Sequence, residues 1–96
     1  MIFEWDSGKA RRNEVKHGLS FEEAATVFQD SLAMTFGDPD HSSSEPRELT
    51  IGHTKGHKLV FVSHCEREGR IRIISARPAT NSERKQYEQG IGEDIG

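Results

Sequence analysis

The sequence predicts a single small domain of the α+β class, in which helices pack on one face of an antiparallel sheet. Three observations support this prediction. Alternating apolar segments cluster in the middle of the chain, capped helical segments lie towards both ends, and the connections are short. Consecutive strands joined by short turns form antiparallel meanders, which are typical of α+β rather than doubly wound folds. The predicted order of elements is β-α-α-β-β-β-β-α.

The first third of the chain is predicted to contain one short strand and two capped helices. Residues 2–5 alternate apolar and polar side chains, which is typical of a strand. Asp6 is a good N-cap for a helix over residues 7–17, and Gly18 is suited to end that helix in the left-handed conformation. A capping box of the S-x-x-E type opens a second helix over residues 20–29, whose apolar side chains recur every three or four positions.

The remainder of the chain is predicted to contain four strands and a final helix. Turn residues separate the strands, and a second capping box, formed by Thr80 and Glu83, opens the helix after a break at Pro78. We expect strands at residues 32–36, 48–53, 58–64 and 70–76, a helix at 81–89, one folded domain over residues 1–89 and a flexible tail over 90–96.

Composition limits the classes of protein to which the chain can belong. Its 96 residues are enough for one domain with one core. No apolar run is long enough to span a membrane, and the N-terminus lacks the basic and apolar regions of a signal peptide. A single cysteine, Cys65, cannot form an internal disulfide, so we expect a cytoplasmic protein with no membrane partner.

Charge is distributed unevenly along the chain. The formal net charge is -3, yet the first 48 residues hold 5 Lys/Arg against 10 Asp/Glu, and the remaining residues hold 8 against 6. A local basic site on an acidic protein suits a small RNA footprint. It does not suit the wrapping of long duplex DNA, which requires many phosphates to be neutralised together.

The predicted strand-turn-helix segment over residues 71–87 carries the side chains best suited to bind phosphate. Arg72, Arg77 and Arg84 provide guanidinium groups, which bind phosphate oxygens in a bidentate manner. The alternative is that these arginines pair with Glu66, Glu68 or Glu83, and the spacing alone favours neither interpretation. Strict alternation along the strand places Arg72 and Arg77 on opposite faces, unless the strand twists or bulges near Ser75.

Two residues are candidates for proton transfer. His17 lies at the end of the first predicted helix, and imidazole changes its charge near neutral pH. The alternative for this lone histidine is a cation that only stabilises the helix end, which is the more common role. Tyr87 is the second candidate, and a half-buried packing role suits it at least as well. His53 and His57 flank a hairpin turn, but no third ligand nearby completes a zinc site, so we expect neither a metal nor another cofactor.

Two blocks of the sequence resemble the BrnT family of type II toxins. The N-terminal block includes Phe3-Glu4-Trp5-Asp6, Lys16-His17-Gly18 and Ser20-Phe21-Glu22-Glu23-Ala24. The C-terminal block includes Arg72-Ile73-Ile74-Ser75-Ala76-Arg77, Glu83-Arg84 and Tyr87. Each block alone is moderately specific, whereas the two in this order and spacing are highly specific.

The resemblance implies a fold similar to that of RelE-type ribonucleases, and a toxin that cleaves RNA without a metal and stops translation. It also implies neutralisation by a ribbon-helix-helix antitoxin of the BrnA type, with operator DNA bound only through that antitoxin. The candidate catalytic residues are His17, Arg72, Arg77 and Tyr87, and the candidate RNA-binding residues are Lys9, Lys16, Arg47, Ser75 and Arg84.

The reaction expected from this resemblance is an endoribonuclease reaction. In it the RNA 2′-hydroxyl attacks the adjacent phosphorus and leaves a 2′,3′-cyclic phosphate, with cations stabilising the charge that builds on the phosphate. The alternative is a non-catalytic module of the same α+β class that binds RNA or protein, because the same arginines serve both functions. Cleavage of RNA in the presence of EDTA separates the two.

Overall fold

The elements of the structure follow the predicted order. The computed structural model describes residues 1–38 and 46–95, with side chains described through residue 90. The elements are β1 (Ile2–Glu4), α1 (Ser7–His17), α2 (Phe21–Ala25), a 3-10 turn (Thr26–Gln29), β2 (Met34–Gly37), β3 (Glu48–His53), β4 (Leu59–Arg67), β5 (Arg70–Pro78) and α3 (Asn81–Ile95). The predicted α+β class is confirmed.

The five strands form one sheet in the order β1-β5-β4-β3-β2. Strands β2 to β5 form the predicted antiparallel meander, with each strand paired to its neighbour in sequence. Strand β1 pairs in parallel with β5 at the other edge. This pairing joins segments that are far apart in the chain, so local alternation could not predict it.

The two faces of the sheet bury separate hydrophobic clusters. The core face packs against α1 and α2 and is built from Leu19, Phe21, Ala24, Val27, Val60, Val62, Ile73 and Ala76. The opposite face, here called the groove face, packs against α3 through Ile51, Leu59 and Tyr87. Helices therefore lie on both faces, and the prediction of a single covered face is wrong. The cause is β4, whose consecutive apolar residues bury side chains in both directions.

Helix α3 is longer than the sequence predicts. Its backbone remains helical through Ile95, past the predicted end at residue 89. Gly90 is not among the described glycines with a positive φ, so it does not stop the helix in the way that Gly18, at φ 65°, stops α1. The flexibility of residues 90–96 stays a prediction.

Candidate active site

A bulge in β5 aligns the predicted phosphate-binding residues. The register between β4 and β5 shifts by one position, which leaves Ile74 as an extra residue of β5. Such a bulge interrupts strict alternation, because odd-numbered and even-numbered residues exchange faces of the sheet on passing it. Arg72, Ser75 and Arg77 consequently all lie on the groove face, so the exception that the sequence left open, a bulge near Ser75, applies.

Five elements, α1, β3, β4, β5 and α3, line one cavity of about 270 Å³ on the groove face. We call it the Arg77 cavity. Helix α1 contributes its last residue, β5 contributes the residues that follow the bulge, and α3 contributes a carboxylate from its first turn. The lining residues are His17, Leu49, Phe61, Ser63, Ser75, Ala76, Arg77 and Glu83.

A buried asparagine places His17 at this cavity. The Asn13 amide donates to the Leu19 carbonyl at 3.1 Å and accepts from the Ala76 backbone N–H at 3.1 Å, so it ties α1 to β5. His17 follows one helical turn later and shares that face of α1. Gly18 then ends the helix, with its N–H donating to the Glu14 carbonyl. The sequence places Asn13 on the polar face of the first helix, and it did not predict this bridging role.

The Arg77 guanidinium is held from two sides. It donates to both carboxylate oxygens of Glu83 at 2.8 Å, and to the Pro78 carbonyl at 3.2 Å. It also lies 4.7 Å from the centroid of the Phe61 ring, in a cation–π contact. The hydrogen bonds to Glu83 raise the pKa of Arg77. Its side chain is nevertheless 43% exposed, so the cation remains accessible to an anion in the cavity.

Glu83 has two structural roles in the first turn of α3. It accepts from the Thr80 backbone N–H at 2.9 Å while its own N–H donates to the Thr80 hydroxyl at 3.1 Å, which confirms the predicted capping box. The hydrogen bonds from Arg77 hold the pKa of Glu83 at about 2, so the carboxylate is ionised at neutral pH. The sequence identified Glu83 as a cap but did not place it in the site.

Arg72 lies on the same face but outside the Arg77 cavity. It donates to the Glu4 carboxylate of β1 at 2.9 Å, and the other oxygen of Glu4 lies 4.0 Å from Arg70. About 16 Å of strand separates Arg72 from Arg77, at roughly 3.3 Å per residue. Arg77 therefore forms one of the pairs that the sequence left as an alternative, whereas Arg72 pairs with Glu4, which the sequence did not suggest. Of the two arginines, Arg77 alone lines the cavity.

Tyr87 is buried beside the Arg77 cavity and does not line it. Its side chain is 3% exposed, its hydroxyl donates to the Leu32 carbonyl at 3.0 Å, and its ring lies 5.7 Å from that of His53. Burial raises the pKa of Tyr87, and the charge of Asp30 adds to that shift. The hydroxyl therefore fastens α3 to the segment before β2.

The remaining predicted RNA-binding residues lie around the sheet rather than in the cavity. The two lysines are exposed on α1, and the two arginines are half-buried, one before β3 and one on α3. The four residues are Lys9, Lys16, Arg47 and Arg84. None of them is among the described residues that line the Arg77 cavity.

Within residues 1–38 and 46–90, no group of three or more His, Cys, Asp and Glu side chains is arranged to hold a metal ion. The His53 imidazole lies 3.7 Å from the Asp30 carboxylate, which also accepts from the His53 backbone N–H at 2.8 Å. Across the described helices, none combines the length and apolar character needed to cross a membrane.

The fold and the cavity define a class: a small α+β domain with an accessible cationic site suited to a phosphate group. A family described as ribonuclease toxin, BrnT, of type II toxin-antitoxin system matches residues 5–83. The crystal structure of the Brucella abortus ribonuclease toxin, BrnT, has the same fold, with a TM-score of 0.65 and 24% identity over 84% of this chain and 100% of that one. No curated protein matches the chain.

The chain therefore belongs to the BrnT family of ribonuclease toxins. It is the toxin component of a type II toxin–antitoxin system, which implies RNA as the substrate and an antitoxin as the partner.

Proposed function

We propose that the Arg77 cavity is the ribonuclease active site and that it holds the scissile phosphodiester of RNA. One observation carries the proposal: His17 of α1 lines the same accessible cavity as Ser75 and Arg77 of β5, although His17 lies far from both in the sequence. An imidazole can transfer a proton, a hydroxyl can donate a hydrogen bond to phosphate, and a guanidinium can stabilise the charge that builds on it, which together suit phosphodiester cleavage without a metal.

Arg77 binds the phosphate and stabilises its developing charge. Its guanidinium presents a planar set of donors, and Glu83 together with Phe61 fixes the orientation of that plane before substrate arrives. Donors that are already oriented stabilise charge without reorganising during the reaction. The Ser75 hydroxyl lines the same cavity and donates to a second phosphate oxygen.

His17 carries one of the two proton transfers. The 2′-oxygen forms a bond to phosphorus and loses its proton to a base, while the bond from phosphorus to the 5′-oxygen breaks and that oxygen takes a proton from an acid. The products are a 2′,3′-cyclic phosphate and a 5′-hydroxyl. Its place in the cavity supports His17 for this role over Tyr87, whose hydroxyl already donates to the Leu32 carbonyl.

The other basic residues contact flanking phosphates. Arg72 lies too far along β5 to share the scissile phosphate with Arg77, and its pair with Glu4 leaves 31% of its side chain exposed. Electrostatic contacts of this kind add affinity rather than rate, and they weaken as salt concentration rises. We include in this group Arg72, Lys9, Lys16, Arg47 and Arg84.

The antitoxin is proposed to be a ribbon-helix-helix protein of the BrnA type that acts in the cytoplasm and alone contacts operator DNA. We expect it to cover the groove face, because a covered active site keeps a toxin silent. We also propose that the fold is related to that of RelE-type ribonucleases. Addition of the cognate antitoxin should abolish RNA cleavage, and continued cleavage by a stable complex would contradict covering of the site.

Cleavage of a defined RNA by the purified chain, in EDTA and without antitoxin, tests the active site. Arg77→Gln should lower the rate on the order of 10²–10³-fold, as expected for one lost charge-stabilising donor. His17→Gln should lower it by roughly 10²–10⁴-fold and remove one limb of the pH–rate profile. Arg11→Gln, exposed on α1, is the matched control.

Full activity of Arg77→Gln at normal folded yield would refute the assignment. If the wild-type chain binds RNA and does not cleave it under these conditions, the non-catalytic module becomes the better description. Thermal unfolding of each variant separates loss of function from loss of fold.

A further inference from the structure

Two large apolar side chains are exposed on the edge strand β2. Met34 and Phe36 are 43% and 46% exposed, and their pairing with β3 places both on the groove face. Contiguous exposed apolar surface beside polar residues is typical of a binding site. These side chains line a second cavity of about 220 Å³, here called the Phe36 groove, with Ile51, Phe61, Glu83, Gln86 and Tyr87.

The Phe36 groove adjoins the Arg77 cavity. Phe61 and Glu83 line both, and the Phe61 ring makes the cation–π contact with the Arg77 guanidinium. A ligand whose charged group contacts Arg77 therefore has its next group within reach of Phe36. RNA has this arrangement, because each phosphate is joined to a sugar that bears a flat aromatic base.

The chemistry of the groove suits an unpaired nucleobase. The Phe36 ring and the Met34 thioether offer apolar surface to the face of a base, and the exposed Gln86 amide offers a donor and an acceptor to its edge. A helical peptide needs a longer groove, since its anchoring side chains recur over two turns. The volume is also below the roughly 300–1,000 Å³ of sites that enclose drug-sized ligands.

We propose that the Phe36 groove is a base subsite, which stacks the base of a nucleotide next to the scissile phosphate on Phe36. This inference rests on the assignment of the Arg77 cavity as the active site. Phe36 and Gln86 then act as specificity-determining residues, while Arg77 holds the phosphate. Because a paired base cannot leave its helix to enter the groove without cost, the substrate class is single-stranded RNA.

Binding of a non-cleavable RNA tests the subsite separately from catalysis. The oligonucleotide contains the cleavage site mapped with the wild-type chain, carries 2′-deoxyribose at the reacting nucleotide, and is titrated by fluorescence anisotropy. We expect Phe36→Ala to weaken binding roughly 5- to 150-fold, the range for loss of one base stack, and Phe36→Trp to keep the wild-type Kd. Val15→Ala, 84% exposed on α1, is the matched control.

Wild-type affinity and cleavage in Phe36→Ala would overturn the subsite and leave the Arg77 assignment intact. Absence of RNA cleavage by the wild-type chain would overturn the proposed active site itself. Normal RNA binding combined with weakened antitoxin binding would identify the groove as a protein-docking surface, against the subsite. Thermal unfolding checks each fold, and Met34→Ala provides the test if Phe36→Ala does not fold.

Discussion

The ion pair between Glu83 and Arg77 should make a measurable contribution to stability. The pKa of Glu83 falls from 4.5 to about 2 in the folded chain. At about 1.36 kcal/mol per pKa unit, the pair can contribute at most about 3.4 kcal/mol to the free energy of unfolding. Because the Arg77 side chain is 43% exposed, solvent screening reduces this, and we expect Glu83→Gln to lower the free energy of unfolding by about 1–2 kcal/mol. Glutamine keeps the length of the side chain and an oxygen for the Thr80 N–H, so the substitution isolates the charge.

The pH dependence of this contribution has a defined sign. A carboxylate with a lowered pKa in the folded chain stabilises fully above its unfolded pKa of 4.5, and that contribution is lost as the pH falls through about 2. Urea unfolding of wild type and Glu83→Gln should show a full difference at pH 7 and less than half of it at pH 3. Glu14→Gln, exposed on α1, controls for loss of a surface charge. Equal stability at pH 7, or a difference that does not shrink by pH 3, would refute the reasoning.

Three further predictions concern buried polar groups. Tyr87→Phe removes the donor to the Leu32 carbonyl, so the free energy of unfolding should fall by about 1 kcal/mol. RNA cleavage per folded molecule should persist, and loss of cleavage would show that Tyr87 is a catalytic residue. Asn13→Ala leaves two buried backbone groups without their partner, and urea unfolding should show a loss of about 2–3 kcal/mol; a loss below 1 kcal/mol would show that water replaces the amide. Burial lowers the pKa of His64, so wild-type stability should fall as the pH drops below about 6.5, and His64→Gln should flatten that dependence.

Local patterns predicted most of the elements and their ends. The Thr80/Glu83 capping box, the Ser20 cap and the Gly18 stop lie where the sequence places them, because each depends on side chains within four residues of the helix end. The Glu23 carboxylate instead accepts from the Thr54 hydroxyl at 2.9 Å, a contact between distant segments that the first capping box did not predict. The strands of the meander were predicted for the same reason, since alternation and turn residues are local signals. The parallel pairing of β1 with β5 has no local signal and was missed.

The candidate site was only partly predictable. The sequence named His17, Ser75 and Arg77 through the family resemblance, and the structure brings these three together. The sequence offered Glu83 as one of three glutamates that could pair with the arginines and could not choose among them. It did not place Phe36 beside the same cavity, because that contact joins elements that meet only in the folded sheet.

The sequence by itself determined the α+β class, the family and the kinds of side chain available for RNA cleavage. These depend on composition, spacing and local capping, which do not require long-range contacts. Only the tertiary structure decided which side chains share a site. The extra residue Ile74 turns Arg72 and Arg77 to one face, and the ionic and apolar contacts of α3 bring Glu83 to that face. A one-residue shift in strand register reverses the facing of every residue beyond it, and pairing with a neighbouring strand sets that register.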